Sequence, residues 1–215
     1  MGQITKDIME KYGHYRPGIL QVGCALRQEY LGSIKSLKRK RFDRVVVPLT
    51  MVGYESALIM KFLYASGLAD TDIKVIIRCH PAGPFESFKK YIHFNIPDNF
   101  IVSNEKSVQE ELSATDMVLY TWTTVAVEAM KMGLPVIYLD FLNPMYVDPL
   151  FECSSFKRTV RRTAELLSAM KEFYDMSDSE FYHEQEMAQK YLIRDFYPVT
   201  EENLIPFMSY NNPKS

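Results

Sequence analysis

The chain has 215 residues, of which 47% are hydrophobic and 24% are charged, and its formal net charge is −2. This composition is typical of a folded globular protein and excludes a disordered or fibrous chain. A net charge so close to zero gives no electrostatic reason to expect a nucleic-acid partner, and no apolar run approaches the roughly 18 residues that cross a bilayer.

The start of the chain and its cysteines favour a cytoplasmic location. The stretch Met1–Glu10 is polar and mixed in charge, unlike a signal peptide. The three cysteines are odd in number, far apart and without C-x-x-C spacing, so neither disulfides nor a zinc site is predicted.

Residues 1–42 are predicted to be a tail or linker ahead of the folded domain. Met1–Arg16 is polar with one short helix, and Ile19–Leu31 places apolar residues around Gly23 before a second helix. A basic cluster follows, formed by Lys35, Lys38, Arg39, Lys40, Arg41 and Arg44. Two interpretations remain open: a solvated helix face ahead of a strand, or a peripheral contact with an anionic membrane surface or an acidic acceptor.

Strand and helix patterns alternate regularly from Asp43 onward. Strands are predicted at Val45–Leu49, Ile73–Cys79, Phe100–Ser103, Met117–Tyr120, Leu134–Leu139 and, as a short sixth piece, Phe156–Val160. Helices are predicted at Gly53–Ser66, Phe85–Phe94, Ser107–Ser113, Val125–Met132, Thr163–Tyr174, Ser177–Ile193 and Thr200–Met208. Continuous apolar strands are typical of a sheet covered on both faces. We therefore predict an α/β fold in residues 43–208, with a doubly wound, mainly parallel Rossmann-like sheet of about six strands, C-terminal helices, and a tail at 209–215.

The stretch Asp116–Asp140 forms the central unit of this pattern. It contains a buried strand, the turn Thr121–Thr124, a helix ended by Gly133, and a second buried strand. The turn places hydroxyls and backbone amides at a helix N-terminus, where a phosphate is stabilised. Thr123 and Thr124 can donate to phosphate oxygens, and Glu128 can accept hydrogen bonds from a ribose diol.

Three loops are expected to meet at one crevice: Thr50–Ser56 after the first strand, His80–Pro84 after the second, and Thr121–Thr124 after the fourth. If the strand order is 3-2-1-4-5-6, ligands bind outside the carboxyl ends of the strands where the order reverses. His80 would hold a phosphate there and stabilise it as a leaving group, with Pro81 fixing the backbone after it. The candidate donor-binding residues are Thr50, Gly53, His80, Pro81, Thr121, Thr123, Thr124 and Glu128, with Arg27 as a further phosphate contact.

Simpler roles exist for each candidate. His80 could end a strand and bond the loop backbone, Thr123 and Thr124 could be plain helix caps, and Glu128 could be a solvated helix residue. Trp122 is predicted to be a packing residue. The remaining histidines are isolated and predicted to be surface or structural residues: His14, His93 and His183. No G-x-G-x-x-G or G-x-x-x-x-G-K-[ST] pattern is present, which argues against dinucleotide and P-loop sites.

With these residues in place, the chain resembles the C-terminal domain of GT-B glycosyltransferases of the bacterial surface-polysaccharide type, over about Asp43–Met208. The similarity is carried by His80-Pro81, the T-W-T-T turn, and the run E-A-M-K-M-G-L-P-V at Glu128–Val136. The His-Pro dipeptide with a downstream hydroxyl pair is similar to sialyltransferases, Kdo transferases and CDP-glycerol glycerophosphotransferases. In those enzymes the pair is Ser-Ser or Ser-Thr, whereas here it is Thr-Thr.

The resemblance implies a donor-binding domain that uses a CMP- or CDP-activated sugar or polyol in polysaccharide synthesis. It assigns the donor phosphate to His80, Thr123 and Thr124, with His80 as the catalytic group. The Glu-to-Pro-Val run is shared with nucleotide-sugar epimerases, so a UDP-sugar transferase or a UDP-GlcNAc 2-epimerase-like domain is an alternative. A non-catalytic assembly domain of a polysaccharide-synthesis complex is a third hypothesis.

GT-B enzymes have two Rossmann-like lobes, and this chain has room for one. The resemblance therefore implies a missing N-terminal lobe or partner subunit that supplies the catalytic base, or a homodimer that covers the terminal helices. No carboxylate pair of the D-x-D type stands at a strand end, so neither a metal nor another cofactor is expected.

Overall fold

The computed structural model of the protein describes residues 2–38, 40–103, 106–142 and 148–208. Its strands are β1 (Arg44–Pro48), β2 (Lys74–Arg78), β3 (Phe100–Ser103), β4 (Met117–Tyr120), β5 (Val136–Leu139) and β6 (Lys157–Val160). They form one sheet in the order β3-β2-β1-β4-β5-β6, and every neighbouring pair is parallel. The predicted doubly wound α/β fold and its assumed strand order are confirmed.

Eight α-helices are described, several of them close to their predicted positions. They are α1 (Gln3–Tyr12), α2 (Gly53–Ala65), α3 (Phe85–Phe88), α4 (Val108–Ser113), α5 (Val125–Lys131), α6 (Leu166–Asp175), α7 (Asp178–Asp195) and α8 (Glu201–Met208). Right-handed crossovers place α2 and α3 on one face of the sheet and α4 and α5 on the other. None of the described helices is both long and apolar enough to cross a bilayer.

The predicted helix Phe85–Phe94 is wrong beyond its first turn. α3 ends at Phe88, and a 3₁₀ turn covers Lys89–Tyr91. Aromatic and β-branched residues lose side-chain freedom in a helix. Here Ile92 and Phe94 instead pack against the core, which holds the chain away from a helical path.

Gly133 ends α5 in the left-handed conformation, with φ +82°. Its amide donates to the Met130 carbonyl, and the Leu134 amide donates to the Ala129 carbonyl, which together form a Schellman cap. Because Leu134 is used by this cap, β5 begins at Val136, two residues after the predicted start Leu134.

Part of the N-terminal segment packs along the carboxyl end of α5. The Leu37 amide donates to the Met132 carbonyl at 2.7 Å, and Leu31 is buried. From α7, the Gln185 side-chain amide donates to the carbonyls of Leu37 at 3.0 Å and Gly133 at 2.8 Å. The segment before β1 is thus held on the α5 face of the domain, while the predicted division at residue 42 stays a prediction.

Replacing Gly133 with alanine should destabilise the protein. An L-residue at this φ costs about 1–2 kcal/mol. The added Cβ would also lie 2.4 Å from Gln185 Nε2 and 2.8 Å from the Leu37 carbonyl oxygen, so further loss of stability is expected. Urea unfolding measures the change. Gly32→Ala is the matched control, since a Cβ there meets nothing within 4 Å; equal losses in the two variants would contradict the prediction.

Candidate active site

The sheet opens at the carboxyl ends of β1 and β4. Pairing between these strands ends at Val46–Val118, whereas β1 and β2 stay paired up to Pro48–Arg78. The Arg44 carbonyl accepts a hydrogen bond from the Asp116 amide, next to β4. Backbone hydrogen-bonding groups alternate between the two sides of a strand, so the backbone of Pro48, four residues later, also faces β4. Proline has no N–H to continue the ladder, so the two strands separate where the strand order reverses, which is the expected ligand position.

The loops that follow β1 and β2 form one wall of this crevice. Gly83 lies so close to Met51 that a Cβ on Gly83 would be 3.0 Å from the Met51 carbonyl oxygen. The structure therefore brings together two of the three predicted loops, and a side chain at Gly83 would fit only if the Met51 backbone shifted by a few tenths of an ångström. The third loop, Thr121–Thr124, follows β4 on the other side of the strand separation.

His80 is exposed at the carboxyl end of β2. Its carbonyl accepts from the Gly83 amide at 2.8 Å, and its ring Nδ1 accepts from the Ala82 amide at 3.1 Å. In the neutral imidazole the proton is therefore assigned to Nε2, which can donate to a ligand. The backbone-bonding role that was the simpler interpretation is present, and it leaves the second ring nitrogen available.

The turn Thr121–Thr124 contains hydroxyls in three different settings. Thr124 is exposed and precedes α5 without a side-chain cap, while the Thr123 hydroxyl accepts from the Val125 amide at 3.3 Å. The Thr121 hydroxyl is buried and has no hydrogen-bond partner among the described atoms. Trp122 is 42% exposed, so the prediction that it is a packing residue is wrong.

Glu128 is buried, with 8% of its surface exposed, so its interpretation as a solvated helix residue is wrong. Burial raises the pKa of its carboxyl, while a hydrogen bond from Tyr30 and the positive charge of Arg78 act in the opposite direction. The Tyr30 hydroxyl lies 3.0 Å from Glu128 Oε1.

Arg78 and Tyr30 both interact with the predicted site residue Glu128, and the sequence interpretation did not single out either of them. Arg78 is the last residue of β2, and its Nη1 donates to the Lys106 carbonyl at 2.7 Å. A cation ending an otherwise apolar strand was a signal for Arg78. Tyr30 had none, because it is separated from Glu128 by 98 positions along the chain.

Thr50 and Gly53 both shape the loop after β1. The Thr50 hydroxyl accepts from the Val52 amide at 3.2 Å and lies 3.2 Å from Glu55 Oε2. A Cβ on Gly53 would be 3.1 Å from Phe88 Cβ, so this glycine allows close packing of α2 on α3. Contact of either residue with a donor stays a prediction, as does contact of the exposed Pro81.

The basic cluster is divided between structural and exposed cations. Arg44 Nη2 donates to Glu111 Oε1 at 2.9 Å, and Lys40 Nζ lies 3.6 Å from Asp178 Oδ1. Lys35, Lys38 and Arg41 are exposed. Arg39 and the side chain of Arg27 lie outside the described residues, so the phosphate contact predicted for Arg27 stays a prediction.

Comparison with protein-family models gives no match, and comparison with curated proteins gives none either. Solved structures do match. TarM has a TM-score of 0.58 at 15% identity, over 83% of this chain and 37% of TarM. The UDP-GlcNAc 2-epimerase of Methanocaldococcus jannaschii, in complex with UDP-GlcNAc and UDP, has a TM-score of 0.57 at 14% identity, over 98% of this chain and 60% of the epimerase. The glycosyltransferase VinC, in complex with dTDP, has a TM-score of 0.52 at 15% identity, over 84% of this chain and 43% of VinC.

These similarities define the class of fold. The chain has the Rossmann-like fold found in GT-B glycosyltransferases, as the sequence resemblance implied. It spans less than two thirds of each of these three structures, at 37%, 60% and 43% of their lengths. The fold therefore corresponds to part of the length of each of these structures.

Proposed function

We propose that the chain is the donor-binding domain of a glycosyltransferase or glycerophosphotransferase that uses a CMP- or CDP-activated donor in cell-surface polysaccharide synthesis. The observation that carries the proposal is the crevice between β1 and β4, with an available His80 nitrogen on one side and the Thr124 hydroxyl after β4. Similar folds bind dTDP in VinC and UDP in the epimerase, which supports a nucleotide ligand. The cytidine preference and the polysaccharide role rest on the His-Pro and hydroxyl motifs.

In this proposal catalysis is electrostatic. His80 Nε2 donates a hydrogen bond to the donor phosphate, and this bond strengthens as negative charge develops on the departing nucleotide. The hydroxyls of Thr123 and Thr124 donate to other phosphate oxygens, and Arg78 adds positive charge near the same edge of the sheet. Glu128 accepts from the ribose.

The catalytic base and the acceptor site would come from a second lobe or subunit. α8 buries none of its residues, and its exposed apolar side chains, Ile205, Phe207 and Met208, offer a contact surface for such a partner or a second copy. Assays of the chain with a CDP-activated donor and acceptor test this point, because transfer without an added partner would place the base within this chain.

A uridine nucleotide is the second candidate donor. The observation that favours it is the match of 98% of this chain to an epimerase that holds UDP-GlcNAc and UDP. Under this alternative the phosphate contacts are unchanged, and the base-binding part of the crevice recognises uracil.

Calorimetric titration distinguishes the candidates. We expect CMP and CDP to bind more tightly than UMP and UDP. A preference for the uridine nucleotides would contradict the cytidine proposal and favour the alternative. If no nucleotide binds, the donor-binding proposal is wrong and a non-catalytic assembly role is favoured.

A further inference from the structure

Tyr30 and Glu128 form a hydrogen-bonded pair on the α5 side of the crevice. The Tyr30 hydroxyl donates to Glu128 Oε1 at 3.0 Å. Glu128 is 8% exposed and Tyr30 is 38% exposed, so both reach solvent. The pair joins the segment before β1 to the first turn of α5, next to the hydroxyl-rich turn.

The position of Tyr30 is fixed from both sides of the chain. On one side, the Ala25 amide donates to the Tyr197 carbonyl at 3.0 Å. On the other, Leu31 is buried and the Leu37 amide bonds to the end of α5. Tyr30 is therefore a fixed part of the folded domain.

The protonation of the pair determines what it can bind. Burial, followed by the charge and hydrogen bond of Glu128, raises the pKa of Tyr30 to about 12, so the phenol keeps its proton at neutral pH. That single proton is given to Glu128, and the phenol oxygen can then only accept. Glu128 Oε2 has no hydrogen-bond partner among the described residues, so the pair presents two neighbouring acceptors.

Two neighbouring acceptors suit a ligand with two neighbouring hydroxyl donors. We propose that Tyr30 is a specificity residue for the ribose diol, with its phenol oxygen accepting from the 2′-hydroxyl while the Glu128 carboxylate accepts from the 3′-hydroxyl. The inference rests on the proposed nucleotide-binding function. It makes the segment before β1 part of the donor site and predicts discrimination against 2′-deoxynucleotides.

The test compares CDP with 2′-deoxy-CDP on the full chain by calorimetry. The Tyr30 phenol is uncharged, and a hydrogen bond between neutral groups is weaker than one to a charged group, so the wild type should bind CDP about 2- to 10-fold more tightly than the deoxynucleotide. Tyr30→Phe removes only the hydroxyl. It should weaken CDP binding and bring the ratio of the two dissociation constants close to one. If uridine proves the preferred base, UDP and 2′-deoxy-UDP are used instead.

Tyr174→Phe is the matched control. Tyr174 is 65% exposed and lines a cavity with Phe42 and Asp43 at the amino ends of the strands, opposite the crevice. Its variant should keep the wild-type ratio. If Tyr30→Phe also keeps that ratio, or binds CDP more tightly than the wild type, the role of Tyr30 is overturned while the donor-binding function stands. If the wild type binds no nucleotide, both proposals fail.

Discussion

Replacing Lys157 with methionine is expected to lower the free energy of unfolding by about 3–5 kcal/mol, because it leaves a buried carboxylate without its counter-charge. Lys157 Nζ lies 2.7 Å from Asp148 Oδ2, and the two side chains are 5% and 0% exposed. Nζ also donates to the Leu150 carbonyl at 2.6 Å, while Asp148 Oδ1 accepts from the Tyr120 hydroxyl at 2.7 Å. Through these bonds, Asp148 in the connection between β5 and β6 contacts both Lys157 of β6 and Tyr120 at the end of β4.

Urea unfolding of three variants tests this expectation. Lys171→Met is the matched control, because Lys171 pairs with Asp175 on the exposed surface, where the loss should stay within about 0.5 kcal/mol. Adding Asp148→Leu to Lys157→Met removes the uncompensated charge and should recover part of the stability. If Lys157→Met costs no more than Lys171→Met, the buried pair does not stabilise the fold as argued.

His80→Ala is expected to weaken CMP binding about 10- to 100-fold, since a hydrogen bond from Nε2 to a charged phosphate contributes about 1.5–3 kcal/mol. Cytidine lacks the phosphate, so its affinity should change little. The difference between the two ligands separates a phosphate contact from a general disturbance of the crevice. Calorimetric titration of both ligands into both proteins gives the comparison.

His93→Ala is the control for this experiment. His93 is also exposed, but it follows the 3₁₀ turn after α3 and does not end a strand at the crevice. It should leave both affinities unchanged. Equal losses for CMP and cytidine in His80→Ala would show that His80 supports the loop and does not hold the phosphate.

Features predicted correctly from the sequence depend on neighbours along the chain. Ser107 and Glu110 have the spacing of a capping box, and the structure contains both of its reciprocal bonds. Gly133 was predicted to end a helix, and it does so in a conformation that glycine adopts without strain. The apolar strand runs likewise indicated a sheet covered on both faces, and a regular alternation with helices then implied parallel pairing.

Features missed from the sequence depend on residues that meet only in the fold. The burial of Glu128 follows from the segment that carries Tyr30 across α5, and no local pattern encodes that path. Trp122 was predicted to be a packing residue, yet the turn that carries it lies at the carboxyl end of β4 and leaves the side chain exposed. No sequence pattern singles out Asp148 or Lys157, and only their shared burial makes them a pair.

The sequence alone therefore determined the α/β class and, for an assumed strand order, the loops that flank the crevice, because hydrophobic periodicity and helix-ending residues act over a few positions. The tertiary structure alone decided which side-chain atoms of these loops are available to a ligand and which residues lie beside them. It turned His80 so that Nδ1 bonds the backbone and Nε2 stays available, and it brought Tyr30 to Glu128. It also showed that Pro48 ends the pairing of β1 with β4 and so opens the crevice. The sequence could not show this, because the effect of a missing N–H depends on which strand lies on that side.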